Sequence, residues 1–346
     1  MAELAIIADD LTGALDTAAP FAMRGIPTAV ALGVAGLPEA LASGARVVGV
    51  STDSREVPAD AAREAVRSIV AALPLGTRLF KKVDSRLKGN ISAELDPISH
   101  GRSLVIPAIP AFGRWMRGGR LGGFGVSEPI DIAARMGGHA ARAKIPDIET
   151  QSDIEAALAL EHDLPVGARG LAEAMAKIMA PVATPPDVAL SNRRALVVIG
   201  STDPITLAQL DRLRSVHPDI AYLAAPNGAG PAQASLAAGV TVLQATPGAV
   251  PADSGEVAAA LADTVLGLDP PRDTLLVLSG GATAQAILQR LGVAALQLLG
   301  EALPGLPLAT GGGLTFVTKS GGFGGEDTLQ RLLAPFHAHE ERIASP

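Results

Sequence analysis

The chain has no cysteine among its 346 residues, which excludes disulfides, iron–sulfur clusters, thiolate zinc sites and a cysteine nucleophile. The reducing cytoplasm is therefore the simplest expected home. Aromatic residues make up only 3% of the chain, which argues against a base-stacking surface. A basic excess is lacking as well: 28 Lys and Arg stand against 35 Asp and Glu, a net charge of −7, so neither a nucleic-acid surface nor an anionic-membrane surface is expected. A local basic pocket for a small anion is still compatible with that balance. The opening MAELAIIADD has no basic start and ends its short apolar run in two aspartates, so it reads as a buried first strand rather than a signal peptide or membrane span. The six histidines show no metal spacing stronger than the terminal His337-Ala338-His339, and no metal-ligating side chains are assigned.

What is present is 48% hydrophobic residues with abundant Ala, 38 Gly and 26 Pro, a composition suited to small-residue helix and sheet packing. Short apolar runs alternate with helical patterns: LAIIADD then Thr12 to Met23, TAVALGV, RVVGVSTDS then Pro58 to Leu73, RLFKKVDS then Ile91 to Ser99, and SLVIPAIPA. That rhythm predicts βαβ units and a mainly parallel sheet. A second series starts at ALVVIGS and runs through helices at Ile205 to Val216, Gly255 to Leu266 and Ala282 to Leu291. The length favours two α/β domains, 1–185 and 195–346, with the Pro-rich stretch Val182 to Arg194 as linker. Gly113 to Gly138, rich in glycine and arginine around the lone Trp115, fits no element by pattern and reads as a lid, an interface loop or an unordered segment.

Polar groups collect where strands end, the edge at which open α/β sheets bind ligands. Asp9 and Asp10 follow the first strand; Asp53 and Arg55 follow the third apolar run. The segment KKVDSRLKGN, Lys81 to Asn90, has little to offer a core and reads either as a cationic, hydrogen-bonding rim for a small polyhydroxylated anion or as a solvated loop. Two residues in strand would point Asp9 and Asp10 to opposite sides, and Asp10 or Thr12 also suits a helix cap. In the second half, Ser279-Gly280-Gly281 links a buried strand to a helix, and Thr318-Lys319-Ser320 precedes two glycine pairs. Each is either an anion cradle or a tight turn. Neither completes a P-loop, and a strict GxGxxG is absent, which weakens a dinucleotide-binding dehydrogenase reading.

Taken together, IADDLTGALD, KKVDSRLKGN, VIPAIPAFGR, GLAEA, VVIGSTDPIT, LSGGATA and PGLPLATGGGLTFVTKSGGFGGEDTL resemble, in order and over nearly the whole chain, the four-carbon acid sugar kinases. The resemblance implies two α/β domains with the active site in the cleft between them, and because the two candidate half-sites lie far apart in sequence, the domains are expected to close for transfer. It implies ATP and Mg²⁺ as cofactors, and transfer of the γ-phosphoryl group to the terminal hydroxyl of threonate or erythronate in preference to 3-oxotetronate. The sugar acid and ATP are the expected partners, with a homo-oligomer left open. Carried over by position, the acid-binding residues are Asp9, Asp53, Arg55, Lys82, Ser85, Arg86, Gly89 and Asn90, with Asp10 or Asp84 receiving the proton of the attacking hydroxyl. The nucleotide falls to Ser201, Gly280, Gly281, Thr283, Lys319, Gly321, Gly322 and Gly324. Besides the dehydrogenase, the alternative is a catalytically altered nucleotide or sugar-acid binding protein on the same fold.

Overall fold

The computed structural model describes residues 2–184, 186, 190, 192–231, 236 and 239–343, and the expected linker lies partly outside them. The chain forms two compact units, Met1–Pro186 with Ala295–Leu298, and Asp187–Ala294 with Leu299–Pro346.

In the first unit β1 (Leu4–Ala8), β2 (Thr28–Leu32), β3 (Val47–Ser51) and β5 (Ser103–Ile106) are buried at every position. Near-continuous apolar runs of this kind suit parallel strands covered on both faces. With β4 (Arg78–Lys82), β9 (Ala143–Lys144) and β10 (Leu164–Gly167) they align in the order β2-β3-β1-β4-β10-β5-β9, each neighbouring pair parallel. Residues Ala295–Gln297 add an antiparallel strand beside β2, so a segment that sequence reading assigns to the second domain covers an edge of the first sheet. The chain winds from β1 to β2 and β3 on one side, then crosses to β4 on the other. That switch leaves a crevice at the carboxyl end of β1.

The helices are α1 (Leu11–Ala22), α2 (Leu37–Ala42), α3 (Ala59–Ala72), α4 (Ile91–Leu95), α5 (Ile132–Met136), α6 (Gln151–Ala157) and α7 (Arg169–Met179). Asp10, not Thr12, caps α1, its Oδ1 accepting from the Gly13 N–H at 2.9 Å. Segment 113–138 is not unordered: β6 (Arg114–Arg117), β7 (Arg120–Gly123) and β8 (Ile130–Asp131) form a separate antiparallel sheet. Its glycines serve the turns of that sheet. Gly123 has φ of 101°, and a side chain there would collide with the Gly113 carbonyl.

The second unit repeats the scheme. Its strands β11 (Arg194–Ile199), β12 (Ala221–Pro226), β13 (Gly239–Thr246), β14 (Thr274–Ser279), β15 (Ala295–Leu303, from Leu299 onward), β16 (Leu306–Gly311) and β17 (Leu314–Lys319) run in the order β12-β13-β11-β14-β17-β16-β15. All pairs from β12 to β17 are parallel, and β16 is antiparallel to β17. The switch point falls between β11 and β14. Helices α8 (Pro204–Val216), α9 (Ser254–Gly267), α10 (Gly281–Arg290) and α11 (Thr328–Ile343) cover the sheet, with Val197, Ile199, Leu213, Val277, Val317 and Leu333 in the core. Asp203 caps α8 by accepting from the Ile205 N–H at 2.9 Å.

Candidate functional site

At the switch point of the first unit, three aspartates share one guanidinium. β1 ends at Ala8, so Asp9 and Asp10 leave the strand and do not diverge as strand residues would. Arg55 binds Asp9 in a fork, Nε to Oδ2 at 2.7 Å and Nη2 to Oδ1 at 3.0 Å. Its Nη2 also lies 2.9 Å from Asp10 Oδ1 and 3.7 Å from Asp84 Oδ2. Forked, charge-assisted bonds of this kind fix orientation as well as charge. Burial pushes the Asp9 carboxyl up, but the Arg55 hydrogen bonds and the Lys82 charge outweigh it and hold the group below the usual carboxylate range. Asp84 behaves alike: burial opposes its charge, while Arg55, Lys82 and the Arg86 N–H win and keep it anionic.

The two lysines overturn the expectation that KKVDSRLKGN has little to offer a core. Lys81 is 0% and Lys82 4% exposed. Lys81 Nζ meets Glu94 Oε2 on α4 at 3.0 Å and donates to Ile7 O and Lys82 O, so it is a buried tie beneath the site. Ser54 donates to the same Glu94 and pairs with Thr52 Oγ1 at 2.5 Å, extending the tie to the β3 end. Lys82 Nζ donates to Val83 O at 2.7 Å and lies beside Gly13 and the Asp10 carboxylate.

Around this centre the remaining predicted residues divide by what they touch. Asn90 donates to Ser54 O and Val57 O and so clamps the loop that carries Arg55. Gly89 lies against Asp9 and Arg55. Asp53 is exposed, with a left-handed φ of 50°, and partial burial together with the Asp10 and Glu56 charges raises its pKa. Asp84 Oδ1 accepts from the N–H groups of Arg86 and Lys88, at 2.9 and 3.3 Å, leaving Oδ2, among the described residues, with only the distant Arg55. Ser85 Oγ accepts from Arg114 Nη1 at 2.6 Å. The Arg86 side chain is exposed and has no ion-pair partner among the described residues. Sequence reasoning gave no role to Arg114, Glu94 or Thr52; Arg114 stood inside the VIPAIPAFGR motif, while Glu94 carried no local signal.

In the second unit the predicted residues gather at the ends of β11, β14 and β17. Gly280, φ 112°, occupies the N-cap of α10 with no side chain capping it, so the first N–H groups of α10 stay available to an anion. Gly280 N–H donates to Lys319 O at 3.0 Å, and Thr283 lies close to Gly200 and Gly280. Gly321 packs on Ser201, Gly322 on Asp203, and Gly324 on Thr328. Lys319 is fully buried, and its Nζ donates to Thr206 Oγ1, Ser320 O and Gly321 O at 2.9, 3.0 and 3.0 Å. Two of its protons hold the glycine loop itself, and the third goes to Thr206 of α8, whose hydroxyl in turn donates to Gly321 O. Burial pulls its pKa down to about 8 against the opposing charge of Asp203. Gln209 adds two bonds to the same loop, at Phe323 O and Gly325 O.

The arrangement therefore offers a carboxylate cluster around one arginine in one unit, and a glycine-lined anion cradle at a helix start in the other. A sugar-binding N-terminal domain family matches residues 4–130, and a nucleotide-binding C-terminal domain family matches residues 229–329. The D-threonate kinase of Cupriavidus necator is 31% identical over 94% of this chain and 95% of its own length. The D-threonate kinase of Bordetella bronchiseptica is 31% identical over 95% and 96%. A crystal structure of a Haemophilus influenzae protein superposes with a TM-score of 0.67 over 96% of this chain and 100% of its own at 20% identity, a likeness of fold alone.

Proposed function

The chain belongs to the four-carbon acid sugar kinase family, and on that premise we propose that it transfers the γ-phosphoryl group of ATP to the terminal hydroxyl of a four-carbon sugar acid, with D-threonate first among the substrates. The observation that carries the residue assignments is the Arg55-centred cluster of Asp9, Asp10 and Asp84 at the switch point of the first unit.

Phosphoryl transfer asks mainly for positioning and charge neutralisation. The substrate oxygen forms a bond to the γ-phosphorus, the bond to the β-phosphate oxygen breaks with its electron pair leaving on ADP, and the hydroxyl proton must go elsewhere. Of the two aspartates considered, Asp84 is the better acceptor. Asp10 is committed on both oxygens, Oδ1 to the Gly13 N–H and Arg55, Oδ2 to the Thr12 hydroxyl at 2.7 Å. Asp84 Oδ2 accepts no hydrogen bond from the described residues and can orient a hydroxyl. Arg55 acts through the carboxylates, holding Asp9 and Asp84 ionised and fixing Asp10 in place, while Asn90 and the Lys81–Glu94 pair hold the loops.

The nucleotide reading rests on the uncapped start of α10 and the loop tied by Lys319, which suit phosphate oxygens. The fit to Mg²⁺ is of a different kind: among the described residues no group of three or more Asp, Glu or His side chains could hold a metal ion. An ion bound mostly through phosphate and water oxygens matches that donor set. ADP release should be measured across D-threonate, D-erythronate and 3-oxotetronate, with and without Mg²⁺. Mg²⁺-dependent release with a tetronate, D-threonate foremost, is expected; release with none would leave only a binding protein on the same fold.

A further inference from the structure

The acid site has a charge imbalance. Arg55 is surrounded by three carboxylates, Lys81 is paired with Glu94, and the Lys82 amine donates to a backbone carbonyl. Arg55 and Lys81 are thereby committed to carboxylates, while Lys82, with a single hydrogen bond among the described residues, already acts on the Asp9 and Asp84 charges. An anionic ligand entering the Asp9, Asp10 and Asp84 cluster carboxylate-first would meet like charge.

Arg114 has the opposite character. Its Nη1 donates to Ser85 Oγ at 2.6 Å and its Nε to Phe124 O at 3.0 Å, and no carboxylate among the described residues lies within ion-pair distance. Burial, with the Arg86 charge beside it, pushes its pKa down, while Asp84 and Asp16 act only at longer range. A half-buried guanidinium held by neutral groups is an uncompensated charge, which costs free energy until an anion arrives. The guanidinium is also pre-positioned. Arg114 exchanges backbone hydrogen bonds with Ile109 at 3.1 and 3.2 Å and pairs with Gly123 across the hairpin, and Phe124 N–H donates to Gly113 O at 3.0 Å. The tight Gly113–Gly123 crossing thus fixes the guanidinium next to the residue that follows Asp84.

We propose that Arg114, oriented by Ser85 and the Phe124 carbonyl and assisted by Arg86, binds the carboxylate of the sugar acid and thereby sets which end of the substrate faces Asp84. The inference rests on the function proposed above. It makes Arg114 the residue that discriminates an acid from an uncharged four-carbon polyol, and it points the far, hydroxyl-bearing end toward the aspartate cluster. Of the cations that sequence reading would choose for this carboxylate, Lys81 and Lys82 are instead buried, and Arg86 stays exposed.

The test uses the full chain and titration calorimetry with D-threonate, beside inhibition of ADP release by the uncharged polyol D-threitol. Arg114→Ala is expected to weaken D-threonate about 10- to 150-fold, the scale of one hydrogen bond to a charged group. Its loss for D-threitol should be at least tenfold smaller, and Arg114→Lys, which keeps the charge without the fork, should fall between. Equal losses for acid and polyol, or D-threonate affinity within twofold of wild type, would overturn the assignment. Should the wild-type protein release ADP with no tetronate, the proposed function fails instead, and calorimetry of the wild type with D-threonate separates the two failures.

Discussion

Asp84 and Lys319 illustrate how much a single side chain's surroundings decide. Because Asp84 leaves one oxygen without a donor among the described residues, Asp84→Asn should lower kcat by about 100-fold or more with a much smaller change in KM. Asp10→Asn removes a helix cap as well, so its loss should appear in stability and KM together. An Asp84→Asn enzyme with wild-type kcat would remove this residue from the proton path. Lys319 makes a prediction in pH. Its folded pKa near 8 lies below the unfolded value of about 10.4, so between those limits the unfolded chain binds the extra proton. The folded form therefore gains stability as pH rises through that window. Urea unfolding at pH 7.5 and 9.5 should show wild type gaining roughly 2 kcal/mol on Lys319→Met, and no relative change would rule out a buried, proton-releasing lysine. The acids at the strand ends were legible in the sequence, since polar residues directly after apolar runs fall at one sheet edge. Their grouping on Arg55 was not, because φ and loop path bring residues 9, 55 and 84 together.

Among the elements, β4 and α4 are joined by a contact that no local pattern reveals. Lys81 reads as a rim cation until its partner, thirteen residues on and on a helix, is seen to be Glu94. Lys81→Met should leave that carboxylate buried and unpaired and cost about 3–5 kcal/mol in a denaturant titration. Replacing both, Lys81→Met with Glu94→Leu, should recover most of the loss; no recovery would mean the pair is more than an ion pair. The parallel strands and their helices were legible to within a residue or two for α1, α3, α8, α9 and α10, where the apolar period is clear and, in α1, α8 and α9, a capping aspartate agrees with it. The β6–β8 sheet was not. Its alternation is broken by the same glycines that make its turns and its close crossing, so periodicity gives no strand signal there.

At the scale of the whole chain, each unit carries its polar residues at the topological switch point of its own parallel sheet. The strand-end acids and the glycine loops were visible as two separate chemistries, and the order of the motifs along the chain joined them into one family. The return of Ala295–Leu298 to the first unit was invisible, since a strand's sequence does not name the edge it pairs with. The central claim is transfer to the terminal hydroxyl of D-threonate. Phosphorus NMR of the protein incubated with ATP, Mg²⁺ and D-threonate tests it directly. The account predicts a new phosphomonoester signal split into a triplet by two methylene protons, growing in step with ADP. A doublet from a secondary position, or inorganic phosphate with no ester, would contradict it.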